Sequence, residues 1–197
     1  MKKVTAFLAK LVRVLSIPPV MVVLLIIALA TQRSDVYASI EQVTVSVVCL
    51  AAIPALAYPV AAMIPSIRKK GRDGQRNLAF GFTAVGYVIG CLYSALRPVP
   101  RLFPFVHLTY LFSLLILVFF NRGLHVKASG HACSLTGPVG FACMFLGPIP
   151  IALGFLLYAT VAWASIRAKR HTMTEFLLGT LSCLLAGGAA GLVTGAL

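Results

Sequence analysis

Met144 to Phe155 reads "MFLGPIPIALGF", and the fold turns on whether this stretch continues one helix or ends one and begins another. It lies between His131 and His171, a separation long enough for one long membrane span or two short ones. A glycine followed by paired prolines breaks and turns a helix, because proline lacks the backbone donor and its ring collides with the preceding turn. Two short helices are therefore expected, at about Ala132 to Leu146 and Ile151 to Ser165. With two crossings, His131 and His171 face the same side of the membrane; with one, they face opposite sides.

The rest of the chain supports a reading in terms of crossings. Its 197 residues are 60% apolar and only 11% charged, far from the balance of water-soluble domains. Helix is the only regular structure expected, since hydrocarbon offers the backbone no hydrogen-bond partners. Further spans are expected at about Pro19 to Gln32, Val43 to Ile64, Leu78 to Leu96, Leu102 to Phe120, and from Thr172 onward. Residues 1–197 thus form a single all-α domain, a polytopic transmembrane bundle of about six to seven helices. Met1 to Leu15 carries Lys2, Lys3, Lys10 and Arg13 among apolar residues, which fits an N-terminal amphipathic helix lying on the membrane surface. The first 30 residues imitate a secretory signal, but the spans that follow favour an uncleaved first helix.

The net charge is +13, from 17 Lys and Arg against four acids. These cations cluster between apolar runs, the pattern of membrane loops, so an anionic partner at the bilayer is inferred and nucleic acid is not. With every span crossing, all of the Lys and Arg except Arg33, Arg97 and Arg101 share one face. The positive-inside tendency makes that face cytoplasmic. The five cysteines are scattered through apolar runs and read as small core residues.

Three polar clusters meet on the cation-rich face. The first, "KKGRDGQRN", contains Lys69 and Arg76; it is either an ordinary positive loop or a clamp on phosphate, with Arg as a planar fork and Lys as a point charge. The second, "HVKASGHACS", begins at His125. Its Ser129 is placed to cap a helix, Gly130 allows close approach of the backbone, and the N–H groups there with His131 make either a plain cap or an anion cradle beside an acid. The third, "RHTMTE", sets His171 four residues before Glu175, on one helix face. That is either a simple ion pair or a carboxylate that fixes the imidazole tautomer and sharpens it as base or nucleophile.

Taken in order, these residues resemble the type-2 phosphatidic acid phosphatase superfamily, whose signature is Lys-x6-Arg-Pro, then Pro-Ser-Gly-His, then Ser-Arg-x5-His-x3-Asp. Lys69 and Arg76 match the first part, with Asn77 for proline. Ser129-Gly130-His131 match the second, with Ala128 for proline. His171 and Glu175 match the end of the third, and Gly179 falls where the family commonly has glycine. At the remaining positions of the third motif stand Ala164 for serine and Ser165 for arginine, leaving the clamp one cation short; Arg167 and Arg170 are the neighbours able to replace it.

The resemblance implies a metal-independent lipid phosphatase of the cell membrane with no cofactor. His171 would attack phosphorus and form a phosphohistidine, Glu175 would orient it, and His131 would protonate the leaving alkoxide. Lys69, Arg76, Ser129 and Gly130 would hold the phosphoryl oxygens, and the partners implied are the bilayer and a membrane lipid phosphate: phosphatidic acid, phosphatidylglycerol phosphate or a polyprenyl diphosphate. Family members usually face away from the cytoplasm, opposite to the side that the cations favour. Three other readings remain: a non-catalytic lipid-phosphate binder or transporter, an intramembrane serine protease using Ser129, and a zinc site from His125, His131 and Cys133.

Overall fold

A computed structural model describes residues 11–12 and 16–196, with the Arg72 side chain left aside. All regular structure among them is helical. The amphipathic segment expected over Met1 to Leu15 lies outside the described residues apart from a helical Leu11 and Val12. In chain order the helices are α1 (Pro18–Gln32), α2 (Ile40–Val47), α3 (Ile53–Met63), α4 (Pro65–Lys69), α5 (Gly71–Leu96), α6 (Phe103–Val118), α7 (Gly130–Phe145), α8 (Pro148–Arg167) and α9 (Met173–Thr194). A π-helical turn, Val48–Ala52, joins α2 to α3, and another, Phe119–Gly123, ends α6. Pro54 explains the first: its ring would strike the carbonyl four residues back, and the widened turn makes room while the helix continues.

Five runs are long and apolar enough to cross a bilayer: Ile40–Met63, Asp73–Leu96, Phe103–Gly123, Pro148–Arg167 and Met173–Thr194. The chain is accordingly a multi-pass membrane protein. Its outward-facing side chains agree, since Phe155 is 74% and Leu192 80% exposed, a surface that suits lipid rather than water. α1 and α7 are shorter, about 22 and 24 Å by helical rise.

The break in "GPIP" falls at Gly147, whose φ of +89° is open to glycine and strained for other residues. α8 starts directly at Pro148, where a missing N–H costs nothing, and runs to Arg167. It is therefore a full-length span, longer than the short helix expected over Ile151 to Ser165. A second difference concerns the basic segment: α5 begins at Gly71 rather than near Leu78. Asp73 in its first turn complements the positive end of the helix dipole, so Arg76 rides on a helix instead of a loop.

Glycines set the distances between helices. A Cβ on Gly86 would lie 2.2 Å from the Cys49 carbonyl oxygen, and one on Gly90 would lie 2.2 Å from His107 Nδ1. Small residues thus let backbones and rings approach closely, as bundles without a hydrophobic driving force require. His107 is wholly buried, stacked on Phe103 and 2.9 Å from Ser46 Oγ. α9 packs against α6 and α7 and forms the spine of the site described below.

The opposite end of the bundle gathers the three arginines expected there. Arg33 grips Asp35 through Nε–Oδ1 at 2.8 Å and Nη2–Oδ2 at 2.6 Å, and Nη1 donates to the Phe145 carbonyl at 3.0 Å. It thereby caps the end of α7 while lying over the Phe145 ring. Arg97 pairs with Glu41 at 3.8 Å, and Arg101 donates to the Gly195 carbonyl. The Arg33 hydrogen bonds hold the Asp35 carboxyl below its ordinary 3.8. A lowered folded-state pKa stabilises above the ordinary value and is lost as pH falls through the lowered one. Asp35→Asn is therefore expected to flatten the acid limb of a thermal-stability profile below about pH 4, by under about 1 kcal/mol because the pair is partly exposed. An unchanged acid limb would refute the coupling.

Candidate active site

At the end away from Arg33, segments distant in the chain surround a cavity of about 1110 Å³. Its polar mouth includes Arg76 from α5, Lys127, Gly130 and His131 at the start of α7, and Arg170, His171 and Glu175 before and within α9. The two histidines therefore share one face, as the helix break requires.

His171 is positioned differently from the expectation. It lies two residues before α9, so its contact with Glu175 is not a pairing along a helix face. Thr172 is the N-cap: its hydroxyl accepts from the Glu175 N–H at 3.1 Å, while Glu175 Oε2 accepts from the Thr172 N–H at 3.3 Å. In this reciprocal capping box the same Oε2 sits 3.1 Å from His171 Nδ1. A cap satisfies donors that the helix start would otherwise leave open, and here it also fixes the imidazole. The pattern Thr-x-x-Glu in "TMTE" carried that signal.

The second motif is tied to the same place. The Ser129 N–H donates to the Glu175 carbonyl at 2.8 Å. Ser129 Oγ accepts from the Ala132 N–H at 3.2 Å, caps α7, and is wholly buried. Ser129 is thus a cap and is not among the residues lining the cavity; Gly130 and His131 are. Across from it, a Cβ on Gly179 would lie 2.2 Å from the Ser129 carbonyl oxygen, so glycine at that position is what permits α7 and α9 to meet. Asn121 holds the segment from the other side, its Nδ2 donating to the Ala128 carbonyl at 3.2 Å and to Leu117 at 2.9 Å. Ser16 Oγ lies 3.3 Å from His131 Nε2.

Of the cations, Arg76 and Lys127 reach the mouth, and so does Arg170. Lys69 does not: it ends α4, is exposed, and is separated from α5 by the turn at Gly71, whose φ is +57°. Arg167 is exposed outside the lining, and Ser165 is wholly buried with its carbonyl accepting from the Arg170 N–H at 3.1 Å. Lys169, at φ +51°, turns the chain back after α8 and delivers Arg170 to the site. Asn77 lets α5 continue where proline would disturb it, and its Oδ1 accepts from Arg122 Nη2 at 2.8 Å.

Among the described residues no three His, Cys, Asp or Glu side chains gather as a metal would need. His125 is exposed with φ +55°, whereas Cys133 is buried in α7, so the triad considered for zinc does not assemble. All five cysteines carry free thiols. No family model, curated protein or solved structure matches the chain.

Proposed function

We propose that the protein is a metal-independent lipid phosphatase of the cell membrane, with α1 and α7 joining the five long helices in the bilayer to make seven membrane helices. The observation that carries this reading is the meeting of His131, the His171–Glu175 pair, Arg76 and Arg170 at the mouth of one cavity. Two imidazoles and two guanidinium groups suit phosphoryl transfer, whose charge spreads over oxygens and calls for fixed donors.

In the proposed reaction Glu175 fixes Nδ1 of His171, and Nε2 attacks phosphorus. The N–P bond forms as the bond from phosphorus to the lipid oxygen breaks, and His131 gives that oxygen its proton. Water then attacks phosphorus with His131 as base, the N–P bond breaks, and inorganic phosphate leaves. Arg76, Arg170, Lys127 and the Gly130 backbone hold the phosphoryl oxygens; Ser129 supports them as a cap. The cation-rich face favours a cytoplasmic orientation for the site.

The test is phosphate release from phosphatidic acid by purified protein in chelator, with vanadate as inhibitor. Lipid phosphate binding without release would favour the non-catalytic binder, and fluorophosphonate labelling of Ser129 would favour the protease. The cation assignment has its own test. Arg170→Ala is expected to lower kcat/KM by about 10- to 100-fold, in keeping with a charge-assisted contact, and Arg167→Ala to leave it within about twofold. Equal losses in both variants would remove Arg170 from the clamp.

A further inference from the structure

Ser16 lies outside the three polar clusters that build the site, yet its side chain ends on one of their histidines. The hydroxyl oxygen is 2.8 Å from the Val12 carbonyl and 3.3 Å from His131 Nε2. A serine hydroxyl has one proton and two lone pairs, and the shorter contact, to a carbonyl that can only accept, takes the proton. Toward His131 the oxygen therefore accepts, so Nε2 carries a hydrogen. Ser16 is only 3% exposed, and water does not compete for either contact.

The fold fixes Ser16 at this place through α1. The Ser16 N–H closes a helical turn on the Val12 carbonyl at 3.0 Å, and the helix then stops. A residue before proline is driven to extended backbone, and Ile17 accordingly has φ −64° and ψ 146° ahead of Pro18. From there α1 packs along α7, and Arg33 at its far end donates to the Phe145 carbonyl at the far end of α7, at 3.0 Å. The two helices, 15 and 16 residues long, thus run side by side in one direction. Ser16 arrives where α7 begins, beside His131, and Ile17, Pro18 and Pro19 line the same cavity.

We propose that Ser16 is the positioning residue for His131: by accepting from Nε2–H it sets the orientation of the ring and favours its protonated form. Its part in a reaction rests on the lipid-phosphate reading above, in which His131 is the acid. An imidazolium makes a stronger hydrogen bond to a neutral acceptor than a neutral imidazole does. That support matters here, because Arg76, Lys127 and Arg170 share the mouth with His131, alongside Asp73, Glu175 and the His171 ring. The phenols and thiols of the lining are neutral where an imidazole titrates. With Nε2–H kept on Ser16, the proton passed to the lipid oxygen leaves from Nδ1. Nδ1 then takes a proton from the attacking water as the N–P bond breaks.

Ser16→Ala removes the acceptor and leaves no orphan behind it, because the Val12 carbonyl keeps the Ser16 N–H at 3.0 Å. The first measurement needs no turnover: NMR titration of the full chain in nanodiscs with isotope-labelled histidine. His131 is one of four histidines, and its ring signal is assigned by its loss in His131→Ala. In Ser16→Ala that ring is expected to titrate about one pH unit below the wild type, the scale of one charge-assisted hydrogen bond, and in Ser16→Thr to titrate as in the wild type. On phosphatidic acid, Ser16→Ala should lower kcat about tenfold with KM within about twofold, and shift the alkaline limb of the rate profile down by about the same unit. Ser16→Thr should restore both. An unmoved titration in folded Ser16→Ala, or a loss in Ser16→Thr as deep as in Ser16→Ala, overturns the proposal. Phosphate release with an unmoved titration removes Ser16 and leaves the hydrolase reading; a moved titration without release does the reverse.

Discussion

His171→Ala is expected to reduce phosphate release by about 10,000-fold or more, since the nucleophile of a covalent mechanism has no substitute in the site. The geometry makes this a sharper expectation than a conserved-looking histidine would allow. Glu175 Oε2 is committed both to the Thr172 N–H and to His171 Nδ1, which directs the attack to Nε2. The substitution leaves the capping box intact, so folding should survive: the Thr172 and Glu175 groups that build the cap are untouched. His131→Ala should lower release less, by about 100- to 10,000-fold, the range for removal of a general acid. Acid-labile phosphate trapped on the denatured wild type and absent from His171→Ala would complete the evidence. Release unaffected by His171→Ala ends the phosphohistidine mechanism.

Gly179→Ala is expected to cripple the protein through packing rather than chemistry. The added Cβ would sit 2.2 Å from the Ser129 carbonyl oxygen and 3.1 Å from Ala132 Cβ. Both neighbours belong to the start of α7, where a backbone atom cannot rotate aside. Either α9 moves away, breaking the Ser129 N–H bond to Glu175, or the strain is kept; overpacking of this kind costs about 1–3 kcal/mol. Because Gly130 and His131 follow Ser129 directly, release should fall at least about tenfold along with the melting temperature. Gly187→Ala is the control on the same helix, since among the described residues its Cβ would meet only Thr109 Cγ2, at 3.9 Å. If Gly179→Ala is as stable and active as Gly187→Ala, the close contact does not govern the site.

The two glycines illustrate what can be read along the chain and what cannot. Both lie in the same small-residue helix, and a sequence can say only that such residues allow close packing. Which one is irreplaceable depends on how α9 is rotated against α7. Arg170 is a similar case. Arg167 and Arg170 were equivalent candidates for the missing cation, and the turn at Lys169 separates them by sending one to the cavity and the other to the surface. Lys69 looked equivalent to Arg76 by spacing, yet the break at Gly71 sets it on a different helix.

By itself the sequence determined the positions of the apolar helices, the break in "GPIP", and therefore the meeting of His131 and His171 at one end of the bundle. Those properties are local: run length against bilayer thickness, and glycine or proline against backbone geometry. Tertiary structure alone decided which groups meet: Arg170 rather than Lys69 at the cavity, and Ser129 as a buried cap against Gly179. Helix rotation and close approach fix those outcomes. They arise from contacts between residues far apart in the chain, which no local pattern encodes.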